Sequence, residues 1–265
     1  MVAIYAYRGA DFDMTAPQLP ESSVNLDSVE LYDFTNQRLK FKVEIAGYEI
    51  GAEFIGRDFF YNTNPQVSEF RLFDEYWNTL LFVGDLDVKY YDLAGMVANG
   101  LDSPALLNGA DEIWGDSGDD HLKGFRGADD MWGDSGNDII QAGNGRDTIW
   151  GGEGSDILYG GFGTNEFLWE DDGDIDKIFF KSDQHAWNWL PQSSGNSPNG
   201  EKADTIHELD PFDEIYVQGV ASEHLSFART EDGIGIFAKG TLEATYVGSD
   251  LNVIQISEMT FGLPI

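Results

Sequence analysis

Apolar residues recur at intervals of nine between Leu106 and Leu168, where the chain divides into seven consecutive units. The units read LLNGADEIW, GDSGDDHLK, GFRGADDMW, GDSGNDIIQ, AGNGRDTIW, GGEGSDILY and GGFGTNEFL. The eighth place of each unit is apolar and is held by Ile113, Leu122, Met131, Ile140, Ile149, Leu158 and Phe167. A segment of the type x-apolar-x predicts a short strand whose middle side chain points inward. Two units then form one coil of a parallel β-roll, and strands two units (18 residues) apart stack in one sheet.

Two other places of the unit carry its chemistry. Glycine holds the fourth place in every unit, at Gly109, Gly118, Gly127, Gly136, Gly145, Gly154 and Gly163. Aspartate holds the sixth place at Asp111, Asp120, Asp129, Asp138, Asp147 and Asp156, and the last unit has Asn165 there. A decayed earlier copy has Gly100 and Asp102 in the same register. Glycine reaches left-handed backbone angles and leaves room for carbonyls to approach a cation, while aspartate supplies charged oxygen.

Stacking places these acidic turns on two edges of the roll. One edge receives Asp111, Asp129, Asp147 and Asn165, and the other receives Asp102, Asp120, Asp138 and Asp156. A cation fits between stacked turns, where it shares an aspartate from each and takes carbonyl oxygens for its other ligands. Such an oxygen-only cage favours calcium over zinc or copper. Three pairs on each edge allow at most six ions, and Asp156 is expected to serve only the last pair on its edge.

These units resemble the repeats-in-toxin (RTX) nonapeptide, G-G-x-G-x-D-x-U-x, which is typical of calcium-binding parallel β-rolls. The resemblance implies that the aspartates above, with Asn165, bind calcium through their side chains. It also implies carbonyl ligands from the turns, namely Asn108, Gly109, Gly115, Ser117, Gly118, Gly124, Arg126, Gly127, Gly133, Ser135, Gly136, Asn144, Gly145, Gly151, Glu153 and Gly154. Asn165 lacks a charge, so the site that it shares with Asp147 is expected to be the weakest.

The units depart from the motif at several glycines. The first glycine is replaced at Leu106 and Ala142, and the second at Leu107, Asp116, Phe125 and Asp134. These replacements leave carbonyl ligands in place, but we expect them to strain the turn. An acidic, glycine-rich linker that never folds is the alternative, and the in-register apolar residue argues against it.

The charge balance makes the fold dependent on cations. The 265 residues include 48 acidic and 15 basic residues, which give a formal charge of −33. Such self-repulsion opposes compaction unless cations neutralise it, so we expect folding to require calcium. The scattered basic residues argue against a nucleic acid partner.

The composition of the sequence is compatible with export. It has no cysteine, no apolar run long enough for a membrane span, and no N-terminal signal peptide pattern. The resemblance implies release by a type I secretion apparatus that reads an uncleaved C-terminal segment, and hence a secreted, extracellular or cell-surface location. Extracellular calcium modules bind at about 10⁻⁴ to 10⁻³ M, so the chain would fold after it emerges.

The fold class predicted is all-β, in three domains. Residues 1–100 show alternating segments such as LKFKVEIAGYEIGAEF, which predict an N-terminal antiparallel β region of unreadable role. Residues 101–168 form the roll. Residues 169–265 form a C-terminal β-rich cap that includes the expected secretion signal, and their segments WEDDGDIDKIFF and ADTIHELDPFDEIYVQGV extend the acidic-apolar rhythm.

Trp114, Trp132 and Trp150 all occupy the ninth place and are expected to form a ladder with rings about 4.8 Å apart. Glu112, Asp130, Thr148 and Glu166 would run beside it as a polar row. Such a face suits a polysaccharide, since rings stack on sugar C–H groups and carboxylates accept hydroxyl protons. The alternative, which we favour, is that a neighbouring region covers the ladder, because monomers seldom expose so large an apolar patch.

The catalytic motifs of secreted enzymes are missing. None of His121, His185, His207 and His224 lies in H-E-x-x-H, and no G-x-S-x-G occurs. The acidic pair Asp171 and Asp172 is typical of solvated or calcium-facing groups in so acidic a chain. The sequence therefore favours a non-enzymatic, secreted calcium-binding protein that contacts extracellular polysaccharide or a cell-surface protein. The competing hypothesis is a secreted hydrolase, polysaccharide epimerase or toxin whose roll serves export and folding.

Overall fold

Two sheets account for all the strands that the structure describes. The structure is a computed structural model and describes residues 3–6, 24–35, 37–45, 48–57, 66–73, 79–84, 88–89, 107–168, 173–182 and 203–264. Its strands are β1 (Ala3–Ala6), β2 (Val24–Thr35), β3 (Arg38–Ile45), β4 (Tyr48–Arg57), β5 (Gln66–Phe73), β6 (Thr79–Gly84), β7 (Val88–Lys89), β8 (Glu112–Trp114), β9 (His121–Lys123), β10 (Arg126–Gly127), β11 (Asp130–Ser135), β12 (Ile139–Gly145), β13 (Thr148–Glu153), β14 (Ile157–Gly163), β15 (Glu166–Leu168), β16 (Lys177–Lys181), β17 (Asp204–Ile206), β18 (Glu214–Gln218), β19 (Leu225–Arg229), β20 (Ile234–Ala238), β21 (Thr241–Tyr246) and β22 (Thr260–Leu263). The predicted all-β class is confirmed.

The repeat units supply strands alternately to the two sheets, as the nine-residue interval predicts. In the first sheet β8, β11, β13 and β15 run parallel, with Met131 opposite Ile113 and Ile149. In the second sheet β9, β12 and β14 run parallel, with Ile140 opposite Leu122 and Leu158. The eighth-place side chains are completely buried in both sheets. They form a single apolar layer between the sheets.

Both sheets continue beyond the repeat. The first sheet adds β17 and then β21, which places Ile206 opposite Phe167 and Tyr246 opposite Ile206. The second adds β16, β18 and β22. Segments inserted between these strands lengthen the coils, but the inward residues Ile178, Ile206 and Ile215 remain completely buried. The proposed domain boundaries at residues 100 and 168 stay predictions.

The N-terminal strands join the first sheet. Strand β1 runs parallel to β8, and β6, β5, β4, β3 and β2 follow it in antiparallel order. The antiparallel pairing of β3 with β4 agrees with the alternation in the sequence. One face of these strands contributes Phe54, Phe70 and Val83 to the core. On β4, the buried Glu53 forms an ion pair with Arg38, at 3.2 Å between Oε1 and Nε.

The last coils end in a small cap. Strands β19, β20 and β21 form an antiparallel meander, and a 3-10 turn, Ser222–His224, precedes it. Helix α1 (Val253–Glu258) leads into β22 and begins at Asn252, whose side chain accepts hydrogen bonds from the amides of Ile254 and Gln255. Such a cap satisfies helix amides that would otherwise lack partners. Among the described residues, no helix is long and apolar enough to cross a membrane.

Candidate metal centre

The aspartates at the sixth place form two ladders, one on each edge of the roll. In each step, one carboxylate oxygen accepts the backbone amide of the sixth-place residue one coil earlier. On one edge the amides of Asp111 and Asp129 donate to Oδ1 of Asp129 and Asp147, each at 3.0 Å. On the other edge the amides of Asp120 and Asp138 donate to Oδ1 of Asp138 and Asp156, at 2.7 and 2.8 Å. The predicted assignment of these residues to two edges is confirmed, whereas Asp102 lies outside the described residues.

Both ladders run past the repeat, through residues that the sequence analysis did not select. The amide of Asp156 donates to Asp176 and that of Asp176 to Asp213, at 2.7 and 3.1 Å between the nitrogen and Oδ1. On the other edge the amide of Asn165 donates to Oδ1 of Asp204 at 2.7 Å. The expectation that Asp156 ends its edge is therefore wrong, because Asp176 continues it.

The missed aspartates do have a sequence signal. Asp176, Asp204 and Asp213 each stand two residues before an inward isoleucine, as in the D-x-apolar part of the repeat. The glycines that precede the aspartate in the repeat are missing there, and the interval between successive aspartates grows from 18 to 20, 37 and 39 residues. A search that relied on the complete unit could not find them.

The second carboxylate oxygen is the feature that calls for a cation. Asp129, Asp138 and Asp147 are almost completely buried. Among the described residues, Oδ2 of each has no hydrogen-bond partner. A buried charged oxygen without a partner is costly, so the site fits an ion that would coordinate it.

The pKa values reflect the same burial. Burial raises the pKa of Asp129 to about 8, and the nearby charge of Asp147 adds to the effect. Burial also raises the pKa of Asp138 to about 7 and that of Asp147 to about 6. A bound cation would favour the charged form of these carboxylates.

First-place glycines leave room for carbonyls beside the carboxylates. A side chain on Gly133 would collide with Oδ2 of Asp138 and with the carbonyl oxygen of Gly151. A β-carbon on Gly124 would lie 2.6 Å from Oδ2 of Asp129 and 2.7 Å from the carbonyl oxygen of Ala142. A carboxylate oxygen and a main-chain carbonyl of the next coil therefore approach the same small space. The Ala142 carbonyl was not among the predicted ligands.

The donor set suits calcium. No group of three or more acidic or histidine side chains converges within the described parts of the chain, so carbonyls would have to complete the coordination. Mixed carboxylate and carbonyl oxygens are typical calcium ligands. The carbonyls of Gly124, Gly145 and Glu153 each accept a backbone hydrogen bond, but an oxygen with two lone pairs can still bind an ion. Ligation by all of the predicted turn carbonyls, these three included, stays a prediction.

From Gly127 onward, the fourth-place glycines are required by backbone stacking. A β-carbon on Gly136 would lie against the carbonyl of Gly118 in the preceding coil, and one on Gly154 against the carbonyl of Gly136. At two second places where glycine is replaced the backbone is left-handed, with φ of 67° at Phe125 and 85° at Asp134, whereas the backbone at Asp116 is not. A residue with a β-carbon is strained in this conformation, so the expected strain is confirmed at Phe125 and Asp134 and not at Asp116.

Asn165 fits the ladder less well than the aspartates. Its Oδ1 accepts the amide of Asp147 at 3.3 Å, longer than the equivalent distances between aspartates. Its Nδ2 is buried and lacks a hydrogen-bond partner within the described residues. This geometry agrees with the expectation of a weak site beside Asp147.

A second ladder of hydrogen bonds runs outside the first on the Asp120 edge. The amide of Asn137 donates to Oδ1 of Asp119 at 2.7 Å, and the amide of Ser155 donates to Oδ1 of Asn137 at 3.1 Å. The amide of Ile175 donates to Oγ of Ser155 at 3.3 Å. This edge is therefore joined by contacts that involve no cation.

The tryptophan ladder is present but its ring faces are occupied. Trp114 and Trp132 stack with centroids 4.0 Å apart and planes 17° apart, and all three tryptophans are half-buried. Glu112, Asp130, Thr148 and Glu166 are aligned beside them as expected. Because the facing sides of Trp114 and Trp132 cover each other, they leave no gap for a sugar ring between them.

A second aromatic row lies on the other sheet and was not predicted. Tyr159, Phe179, Tyr216 and Phe261 are adjacent in consecutive strands, with centroid separations of 4.6, 4.7 and 5.5 Å. Their intervals in sequence are 20, 37 and 45 residues, so no regular spacing revealed them.

The histidines do not gather into a site. Nε2 of His207 lies 2.8 Å from Oε1 of Glu166, and Nε2 of His121 lies 3.4 Å from Nε2 of Gln141. His224 is exposed. His185, Asp171 and Asp172 lie outside the described residues.

Comparison with known proteins identifies the same nonapeptide repeat in this chain. Residues 107–140 and 132–167 match the family model of the RTX calcium-binding nonapeptide repeat. No curated protein matches the chain. A solved structure that matches is the AlgE6R3 subunit of the Azotobacter vinelandii mannuronan C5-epimerase, at 27% identity over 49% of this chain, with a TM-score of 0.28. The match spans 61% of that subunit.

Proposed function

We propose that this chain, which carries an array of RTX calcium-binding repeats, is a secreted protein whose roll folds when it meets extracellular calcium. The observation that carries the proposal is the row of buried carboxylate oxygens of Asp129, Asp138 and Asp147, for which the described part of the chain supplies no hydrogen-bond partner. Before a cation binds, closing the coils buries these charges at a cost, and the net charge of −33 adds repulsion. Calcium removes both obstacles.

The export route follows from the same logic. Weak sites, with affinities of about 10⁻⁴ to 10⁻³ M, stay empty where calcium is scarce and fill outside the cell. An unfolded acidic chain is a suitable substrate for a type I secretion apparatus, and the C-terminal segment is the signal that we propose. The protein then acts outside the cell or at its surface.

We propose a binding role rather than a catalytic one. The polar groups of the described roll serve its own stacking, and its outer faces carry stacked aromatic rows. A large partner such as a cell-surface protein or a polysaccharide would make contacts around these rings rather than between them. A hydrolase, epimerase or toxin activity in the N-terminal region is the competing proposal, in which the roll serves export and folding. Activity that persists after the roll's outer faces are altered would favour that alternative.

The test is a calcium titration of the metal-free protein by far-UV circular dichroism, with magnesium as the matched ion. The expected result is a cooperative gain of β signal between about 10⁻⁴ and 10⁻³ M calcium, and no such gain with magnesium. Asp129→Asn/Asp138→Asn should shift the transition to higher calcium, whereas the exposed Asp119→Asn should shift it little. A chain that is fully folded without calcium, and stays so in every variant, would refute the proposal.

A further inference from the structure

The two outer faces of the roll differ in charge. We define the tryptophan face as the outward side of β8, β11, β13 and β15, and the tyrosine face as the outward side of β9, β12, β14, β16, β18 and β22. The faces lie on opposite sides of the shared apolar layer, because each sheet turns its eighth-place residues inward. Each face carries a row of aromatic rings along its length.

The tryptophan face is acidic. Its outward positions hold Glu112, Asp130 and Glu166 beside the tryptophans, and none of these positions holds lysine or arginine. All three acids retain some exposure to solvent. In solution this face presents negative charge around a half-buried apolar centre.

The tyrosine face is basic by comparison. Lys123, Lys177 and Lys181 lie on it, in a chain that has only 15 basic residues. Its acid at the outward positions of these strands is Glu214, which accepts a hydrogen bond from Tyr216 at 2.7 Å and lies 3.9 Å from Lys177. The apolar part of the face reaches solvent at Phe261 and Leu263, which are 39% and 38% exposed.

We propose that the tryptophan face of one copy of this protein binds the tyrosine face of a second copy. Acidic groups then meet lysines around two apolar rows, which gives both charge complementarity and apolar burial. Insertion of a sugar between the rings is the poorer fit, because Trp114 stacks on Trp132 and Phe179 stacks on both Tyr159 and Tyr216. This inference goes beyond the proposed function and needs only a folded roll.

The geometry determines the type and strength of assembly. Because the two surfaces are different and lie on opposite sides, the contact is heterologous and leaves a free face at each end of every oligomer. Repeated contacts therefore build open chains of copies rather than closed dimers. The four-stranded tryptophan face is the smaller of the two, and four strands at about 4.8 Å with about five residues at 3.3 Å limit the contact to roughly 320 Å². This is below the roughly 800 Å² per partner of a standard interface, so association is weak and depends on concentration.

The experiment is sedimentation velocity of the full chain at saturating calcium, from about 1 µM to about 1 mM. The wild-type protein should form a growing series of oligomers that salt disperses, because salt screens the charge pairing. Glu112→Lys/Asp130→Lys reverses the tryptophan face, and Lys177→Glu/Lys181→Glu reverses the tyrosine face. Each variant alone should remain monomeric, since its two faces then carry the same sign of charge.

Mixing the two variants supplies the decisive measurement. Each altered face then meets a partner of opposite charge, so an equimolar mixture should regain the oligomers that both variants lost. The matched controls are Glu231→Lys/Asp232→Lys and Arg229→Glu/Lys239→Glu, which make the same charge changes at exposed positions of the C-terminal meander and should assemble like the wild type. Circular dichroism separates loss of folding from loss of assembly.

Three results would overturn the proposal. They are a wild-type protein that is monomeric throughout, variants that assemble unchanged, and a mixture that stays monomeric although both variants are folded. If calcium proves unnecessary for folding, the sedimentation test still applies, because it depends on the faces and not on the ion.

Discussion

The roll at residues 107–168 and the coils that follow it use the same aspartate ladder, but they treat the second carboxylate oxygen differently. In the roll, Oδ2 of Asp129, Asp138 and Asp147 has no hydrogen-bond partner among the described residues, whereas Oδ2 of Asp120 in the first coil accepts the amide of Asp116 at 2.7 Å. In the later coils Asp213 accepts the amide of Asp176 through Oδ1 and the amide of Asp210 through Oδ2, at 3.1 and 2.7 Å. Backbone amides in the later coils therefore satisfy a buried carboxylate oxygen, which a cation would have to do in the roll.

The neighbouring aspartate is satisfied in a similar way. Oδ2 of Asp210 accepts the amide of Gly173 at 2.8 Å. The later coils also bury larger side chains, including Phe180 and Tyr246. The comparison predicts that a ladder carboxylate depends on an ion only where the backbone supplies no second amide, as at Asp129, Asp138 and Asp147.

The largest effect should come from removing calcium. Chelation should release hydrogen-exchange protection in β11 to β14, whereas β18 should retain much of its protection, since both carboxylate oxygens of Asp213 before it accept backbone amides. Mass-spectrometric hydrogen exchange with and without calcium measures both regions in one sample. Equal loss in both regions would show that the later coils depend on calcium as much as the roll.

The next largest effect should distinguish substitution of Asp138 in the roll from substitution of Asp213 in the later coils. Asp138→Ala should lower the amount of calcium bound per chain, because it removes a carboxylate that faces the cation space. Asp213→Ala should leave calcium binding in the roll unchanged but lower the unfolding free energy in chelator by about 2–6 kcal/mol, since two buried amides lose their acceptor at roughly 1–3 kcal/mol each. Calcium binding by calorimetry and urea denaturation provide the two readouts. Calcium loss of the same size in both variants would contradict the comparison.

A smaller effect tests the space beside the carboxylate. Gly133→Ala places a methyl group against Oδ2 of Asp138 and the Gly151 carbonyl, so calcium affinity should fall about tenfold, or about 1.4 kcal/mol. Gly109→Ala is the matched control, because its β-carbon would meet its nearest neighbour, Oδ1 of Asp111, at an ordinary 3.9 Å. Calorimetric titration of both variants measures the difference. If Gly133→Ala binds calcium like the control, the cation does not occupy this space.

A rise in pH should lower the stability of the metal-free roll and raise its affinity for calcium. The pKa of Asp129 is raised to about 8 and that of Asp138 to about 7, so the metal-free fold holds protons that the unfolded chain has released. Metal-free stability should therefore fall as pH rises from about 4 to about 8, and calcium affinity should rise over the same window. Urea denaturation at pH 5 and pH 8, in chelator and in calcium, measures both trends. Metal-free stability that rises with pH would show that other groups dominate.

The smallest expected effect is a gain in calcium affinity when Asn165 is replaced by aspartate. Asn165→Asp should strengthen calcium binding a few-fold, because it replaces a buried amide nitrogen without a partner by a charged oxygen. Asn137→Asp, at an exposed position of the outer ladder, adds the same charge and should change calcium binding little. Calorimetry distinguishes the two. A gain of equal size would assign the effect to general charge.

The sequence predicted the regular part of this fold because each unit repeats one local rule. Ile140 and Asp138 could be assigned to a core and an edge from the nine-residue interval alone. Asp176 and Asp213 could not, since inserted segments change the interval while the stacking continues. The parallel pairing of Ala3 with Glu112 joins residues 109 positions apart (112 minus 3), and no local pattern encodes such a partner. The tyrosine face was missed for the same reason as the later aspartates.

The outer ladder of Asp119, Asn137 and Ser155 makes the two edges of the roll mechanically unequal. The other edge has Ala110, Ala128 and Arg146 at the first three equivalent places, whose side chains offer no oxygen to a neighbouring amide, and only the last place, Thr164, carries a hydroxyl. If bound ions are removed, the Asp120 edge should stay joined by its outer ladder, whereas the coils should separate first along the Asp111 edge. Water, proteases and chelators would then enter the roll from the Asp111 edge. The outer ladder on the Asp120 edge would keep the coils in register until calcium binds again.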